Sequence, residues 1–365
     1  MQRAFAFALT LWALLVLPVT SFARETSQGT AASAKPAAVK SATKKKSVAS
    51  KSKKVTANKK KTSAKTVEKT AVKTTRKSGI KARRVAARPM SLREMMGEPY
   101  NGGELVLRSS SVLVVDQGTG EPLYAKNPQK PAPIASITKL MTAMVTLDAG
   151  LPLNEAITIG PEDVDRIKGT SSRLALGSTL TREELLNLAL IASENRAAAA
   201  LTRAYPGGRP AFIEAMNRKA RELGMTHTRF VDGTGLSSEN QSTAADLVKL
   251  VDAAYRYPLI RRISTTGSYD LVVPTSKQVR HLAFNNTNLL TRRDDWEIGV
   301  SKTGYINEAG HCLVMQAKIA EQKVIIVLLE SWGKLSRIGD ANRIRKWLEY
   351  GGTGRLASRS GKASA

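Results

Sequence analysis

Three strand-like runs crowd the last third of the chain: IGVSKTGY from Ile298, HCLVMQAKI from His311 and KVIIVLLES from Lys323. Parallel neighbours need a crossover of a dozen residues or more. These runs are separated by only a handful, so they fold as an antiparallel meander. A matching hairpin stands far upstream in VLVVDQGTGEPLYAKN, two β segments around a Gly-Thr-Gly turn. Between them the pattern is mostly helical. Thr181 and Glu184 form a T-x-x-E capping box ahead of LLNLALIA. That helix breaks at Ser193, Glu194 and Asn195, and RAAAALTRAY continues beyond. RPAFIEAMNRKARELG has Pro210 near its start and Gly224 after its end, and STAADLVKLVDAAYRY follows. SYDLVVP returns to strand at Ser268, and SRIGDANRIRKWLEYG closes the pattern as an amphipathic helix. Hairpin, helical block, strands and closing helix make an α+β fold. Its N- and C-terminal elements are expected to meet in one antiparallel sheet with an inserted helical lobe, a single domain over residues 104–352.

The composition changes ahead of that domain. Residues 1–23 read as a secretory signal peptide. Arg3 supplies the charge, an apolar run extends from Ala4 to Val19, and Ser21 and Ala23 are the small residues of a cleavage site. The run is short for a membrane core of about 30 Å. Residues 24–90 form a basic tail without an aromatic residue. Between 24 and 88, 21 lysines or arginines face only Glu25 and Glu68, which accounts for most of the net charge of +27. Such a segment buries too little apolar surface to offset its ordering entropy, so disorder is expected. Export argues against a nucleic-acid partner, and no helix-turn-helix, zinc-finger or RRM pattern is present. The expected contact is an anionic wall or membrane polymer; a plain solvated linker is the equal alternative. Residues 91–103 read as a connector and 353–365 as a polar C-terminal tail. Cys312 is the only cysteine, so no intramolecular disulfide forms; mid-strand, it reads as core packing. His227, His281 and His311 lack metal-ligand spacing and read as structural. No metal and no cofactor is expected.

PIASITKLMTAMVTL, residues 133–147, holds the chemistry. Thr138, Thr142 and Thr146 share one stripe of a helix that is otherwise apolar nearly all round, which marks it as buried. Ser136 and Lys139 form an i, i+3 pair at its N-terminal end. A lysine there meets burial and the positive end of the helix dipole, both adverse to its charged form. Neutrality at pH 7 requires a drop of about three units, or ~4 kcal/mol. A neutral lysine beside a serine is a base beside a nucleophile. S-x-x-K alone is common by chance. Here it is followed in order by Ser193-Glu194-Asn195 at a helix junction and Lys302-Thr303-Gly304 on a strand. That trio is the acyl-transfer set of serine penicillin-recognising enzymes.

At these residues the chain resembles the low-molecular-mass penicillin-binding proteins, the serine DD-peptidases, and within them the D-alanyl-D-alanine endopeptidase branch. The resemblance covers most of residues 104–350, including SENRAAAAL, YPGG, FNNTNLL and KTGYINEAGHCLVM. It implies a β-lactamase/DD-peptidase-like fold, a periplasmic location, peptidoglycan cross-links as substrate and β-lactams as acylating inhibitors. It also implies that Ser136 is the acylated nucleophile, Lys139 its base and Ser193 a proton relay to the leaving amine. By the same resemblance Asn195 holds the substrate amide, and Lys302, Thr303 and Gly304 bind substrate carboxylate or backbone at the strand edge. Backbone N–H groups of Ser136 and Tyr305 are expected to form the oxyanion hole. Relatives often carry Asp where this chain has Glu194, to which no role is given.

Rival readings share the site. A class A β-lactamase needs a glutamate acting through water for deacylation. The pattern E-x-x-L-N occurs at Glu183, Glu184 and Asn187 but precedes Ser193 rather than following it, and glutamates are ordinary in a first helical turn. A DD-carboxypeptidase of the same fold usually carries a further β domain and an amphipathic anchor, whereas GTGRLASRSGKASA is a polar tail. Site chemistry alone does not separate cleavage within a cross-link from cleavage at a peptide end. A non-catalytic wall-binding module conflicts with the intact Ser136, Lys139, Ser193 and Lys302.

Overall fold

The computed structural model describes residues 91–274 and 279–352; the expected signal segment, basic tail and C-terminal tail lie outside the described residues. A short helix, α1 (Leu92–Met96), precedes the hairpin β1 (Ser111–Asp116) and β2 (Pro122–Lys126). A two-residue strand β3 (Ala132–Pro133) and one 3₁₀ turn (Ala135–Ile137) lead into α2 (Thr138–Asp148). The lobe continues through the paired strands β4 (Ala156–Thr158) and β5 (Thr179–Thr181). Then come α3 (Arg182–Ile191), α4 (Asn195–Arg203) and α5 (Gly208–Glu222). Strand β6 (Gln241–Ser242) pairs with β3 and is followed by α6 (Ala244–Tyr255) and α7 (Pro258–Thr265). A hairpin of β7 (Ser268–Pro274) and β8 (Val279–Asn285) precedes the meander β9 (Glu297–Ile306), β10 (Gly310–Ile319) and β11 (Gln322–Ser331). Helix α8 (Ser336–Glu349) closes the fold.

The main sheet has the order β2-β1-β11-β10-β9, antiparallel throughout, so the N-terminal hairpin and the C-terminal meander meet as expected. Its period-2 alternation feeds two cores. Leu113, Val115, Val314, Val327 and Leu329 face the helical lobe and pack with α2 residues such as Leu140, Met141 and Met144. Val112, Val114, Leu313, Met315, Ile326 and Leu328 face the other way, against Ile338, Ile344 and Trp347 of α8. Each buried aliphatic side chain contributes about 1.5–3 kcal/mol of transfer free energy. With both faces covered, β1 is buried along its whole length.

The capping boxes explain two helix starts. The Thr181 hydroxyl accepts from the Glu184 N–H while the Glu184 carboxylate accepts from the Thr181 N–H, as the pattern predicts. Ser91 and Glu94 do the same for α1. The segment 91–103, expected as a connector, thus contains one short helix, whose S-x-x-E signal is present in the sequence. The segment packs on α8: Arg343 Nη1 donates to the carbonyls of Met96 (2.9 Å) and Glu98 (3.0 Å). A Cβ at Gly339 would lie 1.9 Å from the Met96 oxygen.

Asp340 ties this end of the molecule together. Fully buried, it accepts from Arg108 N (3.0 Å), Ser109 N (2.8 Å) and Ser109 Oγ (2.6 Å), and pairs with Arg343. Removing one partner of a buried ion pair leaves the other charge uncompensated. Asp340→Ala is therefore expected to lower unfolding free energy by roughly 3–5 kcal/mol. Urea midpoints at constant slope check this; a change below 1 kcal/mol would contradict it.

Candidate active site

Ala135, just before the serine, has φ +47°, a left-handed conformation costly for a residue with a Cβ. It turns the chain so that Ser136 enters the 3₁₀ turn half-buried at the mouth of α2. Lys139 lies in the first turn of α2 and is completely buried. Its Nζ stands 2.8 Å from Ser136 Oγ, 2.7 Å from Asn195 Oδ1 and 2.5 Å from the Thr234 carbonyl oxygen. The last two are acceptors only. A neutral amine gives its two N–H bonds to them, and its lone pair then faces the serine hydroxyl. Burial pushes Lys139 down to about 7, against the pull of the Asp232, Glu194 and Asp165 carboxylates. The anticipated depression is present with burial as its main cause.

A second hydroxyl–amine pair stands beside the first. Helix α3 ends at Ile191, and α4 begins at Asn195 after a turn in which Ser193 has φ +59°. Lys302 Nζ donates to Ser193 Oγ (2.9 Å) and to the Thr303 carbonyl (3.0 Å). Lys302 is buried, and burial, then the charges of Lys139 and Arg337, hold it well below the ordinary lysine range. The repulsion between the two lysines falls mainly on Lys302, because Lys139 has three carboxylates in its surroundings. Lys302 therefore points inward to Ser193, behind the strand edge at which its motif was expected to meet substrate carboxylate or backbone. Asn195 is likewise engaged, accepting from Lys139 and donating to Thr170 Oγ1 (3.0 Å).

Strand β9 brings the third motif against the first. A Cβ at Gly304 would lie 2.9 Å from the Ile134 oxygen, 3.0 Å from Ala135 Cβ and 3.1 Å from Ser136 N. Only glycine permits that approach of strand to nucleophile backbone. β9 is the sheet's edge strand, braced from below. Thr303 Oγ1 donates to Thr287 Oγ1 (2.6 Å) and Asn288 Nδ2 to Ser301 Oγ (2.9 Å), which gives the FNNTNLL segment its place. Tyr305 is 54% exposed at the open end of the motif.

Motif reading missed Arg337 and Thr234. Arg337 Nη1 lies 3.4 Å from the Gly304 carbonyl oxygen and 3.0 Å from His311 Nδ1, and its Nε is buried with no hydrogen-bond partner. No ion pair to it occurs among the described residues. His311 stacks on Tyr305 at 4.3 Å between ring centres. Burial, then Arg337 and Lys334, push it down to about 4, so the neutral ring accepts from the guanidinium. His311 thus supports the site and is not a remote packing residue. Cys312 beside it is buried, its thiol pushed up to about 11 by burial, an inert core group. A cleft of about 490 Å³ opens next to Asn195 and Thr234, lined also by Val164, Ile167, Ala199 and Leu236.

This geometry agrees with what the chain resembles among known proteins. The model of the peptidase S11 family, D-alanyl-D-alanine carboxypeptidase, matches residues 100–332. The chain belongs to the S11 family. This S11 peptidase is 49% identical over 245 residues to the D-alanyl-D-alanine endopeptidase of Pseudomonas aeruginosa, and 48% to that of Escherichia coli. Each alignment covers 67% of this chain and 78% of the relative. A D-alanyl-D-alanine carboxypeptidase of Bacillus subtilis is 30% identical over 230 residues, 62% of this chain and 58% of that one. Among solved structures, the Streptomyces K15 DD-transpeptidase superposes with a TM-score of 0.62 at 30% identity, covering 67% of this chain and 97% of that one. The S11 peptidase therefore has the serine DD-peptidase fold expected from its sequence.

Proposed function

We propose that this S11 peptidase is a serine DD-endopeptidase that opens D-alanyl cross-links of peptidoglycan through an acyl-enzyme on Ser136. The observation that carries the reading is the Lys139 amine, held by two carbonyl oxygens with its third direction on Ser136 Oγ. Lys139 takes the hydroxyl proton as Oγ attacks the D-alanyl carbonyl carbon. Backbone N–H groups of Ser136 and Tyr305 receive the oxyanion. As the C–N bond breaks, Ser193 gives its hydroxyl proton to the departing amine, and the proton that Lys139 took from Ser136 is returned to Ser193 by way of Lys302, which leaves Lys139 neutral again. Water then attacks the ester carbonyl and gives a proton to Lys139, which hands it to Ser136 Oγ as the ester bond breaks. A β-lactam enters the first half of this sequence and stays on the serine.

Substrate lies along the β9 edge at Thr303 and Gly304, its chain extending into the cleft beside Asn195. Arg337 is the better ligand for a terminal carboxylate, since its guanidinium is enclosed beside Gly304 without an acidic partner. Substrate also displaces one of the present partners of Asn195. The reading of residues 1–23 as a signal peptide supports a periplasmic location, and the basic segment 24–90 contacts anionic wall or membrane polymers or acts as a linker.

The test is digestion of purified cross-linked muropeptide dimers and of uncross-linked pentapeptides, across pH 5–9. Monomers released from dimers, with a rate that rises through a pH near 7 as Lys139 loses its proton, are the expected result. Release of terminal D-alanine from pentapeptide alone would favour carboxypeptidase action, the reading in the family's own description.

A further inference from the structure

Residues 231–240, the later part of the connection between α5 and β6, contain none of the three motifs, yet they touch both members of the reacting pair. The Thr234 carbonyl accepts from Lys139 Nζ. Gly235, at φ +81°, lies so close to the nucleophile that an added Cβ would be 2.0 Å from the Ala135 oxygen and 2.9 Å from Ser136 N. The turn is organised from within by one carboxylate. Asp232 Oδ1 accepts from Thr234 N, Thr234 Oγ1 and Gly235 N, each at 2.6 Å, and Oδ2 accepts from Ser237 N at 2.9 Å.

The same turn is fastened to α2 on both sides of the lysine. Thr142 Oγ1 donates to the Gly233 carbonyl at 2.6 Å. Asn240 Nδ2 donates to Thr138 Oγ1 (3.1 Å) and to the Asp232 carbonyl (2.8 Å), while its Oδ1 accepts from Val231 N and Asp232 N. Thr138 and Thr142 of the buried threonine stripe are therefore attachment points for this turn, while Thr146 bonds back to the Thr142 carbonyl. These bonds set the height of the Thr234 carbonyl, and with it the direction left open to the lysine lone pair.

We propose that Asp232 is the positioning residue of the Ser136–Lys139 pair: its carboxylate folds the 232–237 turn so that Thr234 takes one N–H of Lys139 and Gly235 seats the backbone of Ser136. The inference rests on Lys139 being the base for Ser136. It has a second consequence, because the group that shapes the turn is negative. Among the charges that bear on Lys139, Asp232 from this turn, Glu194 from the α3–α4 junction and Asp165 from the segment before β5 favour the ammonium, and Lys302 of β9 is the neighbouring cation. Asp232 is first among the three carboxylates. The turn that aims the base also raises the pH at which it becomes available, against the larger opposing effect of burial.

Two variants of the full chain separate these effects. Asp232→Asn retains an oxygen for the three Oδ1 bonds, and loses the charge together with the single bond from Ser237 N. Its penicillin acylation rate, followed by intact mass from pH 5 to 9, is expected to keep the shape of the wild-type profile with the acid limb moved down by about one pH unit. Asp232→Ala also loses the turn, and its plateau is expected to fall by roughly 10²-fold as the base is misplaced. An acid limb left in place by Asp232→Asn, or a wild-type plateau in a folded Asp232→Ala protein, overturns the proposal while leaving the acyl-enzyme reading standing. Should Asp232→Ala fail to fold, the limb in Asp232→Asn decides alone. A wild-type enzyme that acylates with no limb at all would remove Lys139 as base, and this inference with it.

Discussion

Ser136→Ala is expected to give a folded protein that takes up no penicillin. The hydroxyl is half-buried and Lys139 is its bonded side-chain neighbour, so removing it leaves the lysine with Asn195 and Thr234 and opens almost no cavity. The unfolding midpoint should therefore stay close to that of the wild type. Ser193, the other site hydroxyl, is engaged by Lys302 rather than by Lys139. Loss of a serine nucleophile costs on the order of 10⁴–10⁶-fold in rate. Intact-mass analysis after mixing with penicillin, followed by digestion, gives the answer: a penicilloyl mass on the wild-type peptide containing Ser136, and none on the variant. An adduct of equal yield on Ser136→Ala would transfer the role to another hydroxyl, Ser193 being the first to examine.

Lys139→Ala is expected to slow acylation by roughly 10²–10⁴-fold, the usual contribution of a general base, and to remove the limb near pH 7. Its stability signature is separate and has a definite sign. In the fold Lys139 titrates at about 7 and in the unfolded chain near the ordinary value of 10.5. Between these limits the unfolded chain binds more protons, so the wild type gains stability as pH rises from 7 towards 10.5, and this contribution is lost as pH falls back through 7. The slope is about 1.4 kcal/mol per pH unit where the two forms differ fully. The alanine variant lacks this term, while Lys302 contributes to both proteins. The stability difference between them should thus shift in favour of the wild type with rising pH. A constant difference from pH 7 to 10 would show that the lysine is charged in the fold. Wild-type acylation at neutral pH would dismiss it as the base.

Much of this was legible because it is local. The hairpin, the meander and the T-x-x-E cap each depend on residues a few positions apart, and the strands paired as their spacing required. The three motifs named the residues of the site, but not how they are joined. The inward turn of Lys302 and the engagement of Asn195 by Lys139 depend on contacts across more than fifty residues of sequence. Arg337 carries no motif, since an arginine near a helix start has no signature until the strand beside it is in place. Helix α7 and strand β8 escaped notice for a different reason. Pro258 at a first helical position marked the helix, whereas VRHLAFN is mostly exposed and lacks a clear apolar face. Asp232 in VDGTG carries no signature beyond that of a turn residue; its importance comes from what the turn touches.

The place of β1 in the sheet has a consequence for how the molecule comes into being. It lies between β2 and β11, pairing Ser111 with Leu329 and Asp116 with Val324, across more than two hundred residues. Helices of the lobe can form early, but the apolar face that covers them is completed only by the last strand. Loop closure over such a distance is slow, and a growing chain must wait for it with β1 unpaired on one side. Folding is therefore a late event, governed by the arrival of residues 322–331. A chain stopped short of that strand would keep Ser136, Lys139, Ser193 and Lys302, and would still have no enzyme to show for them.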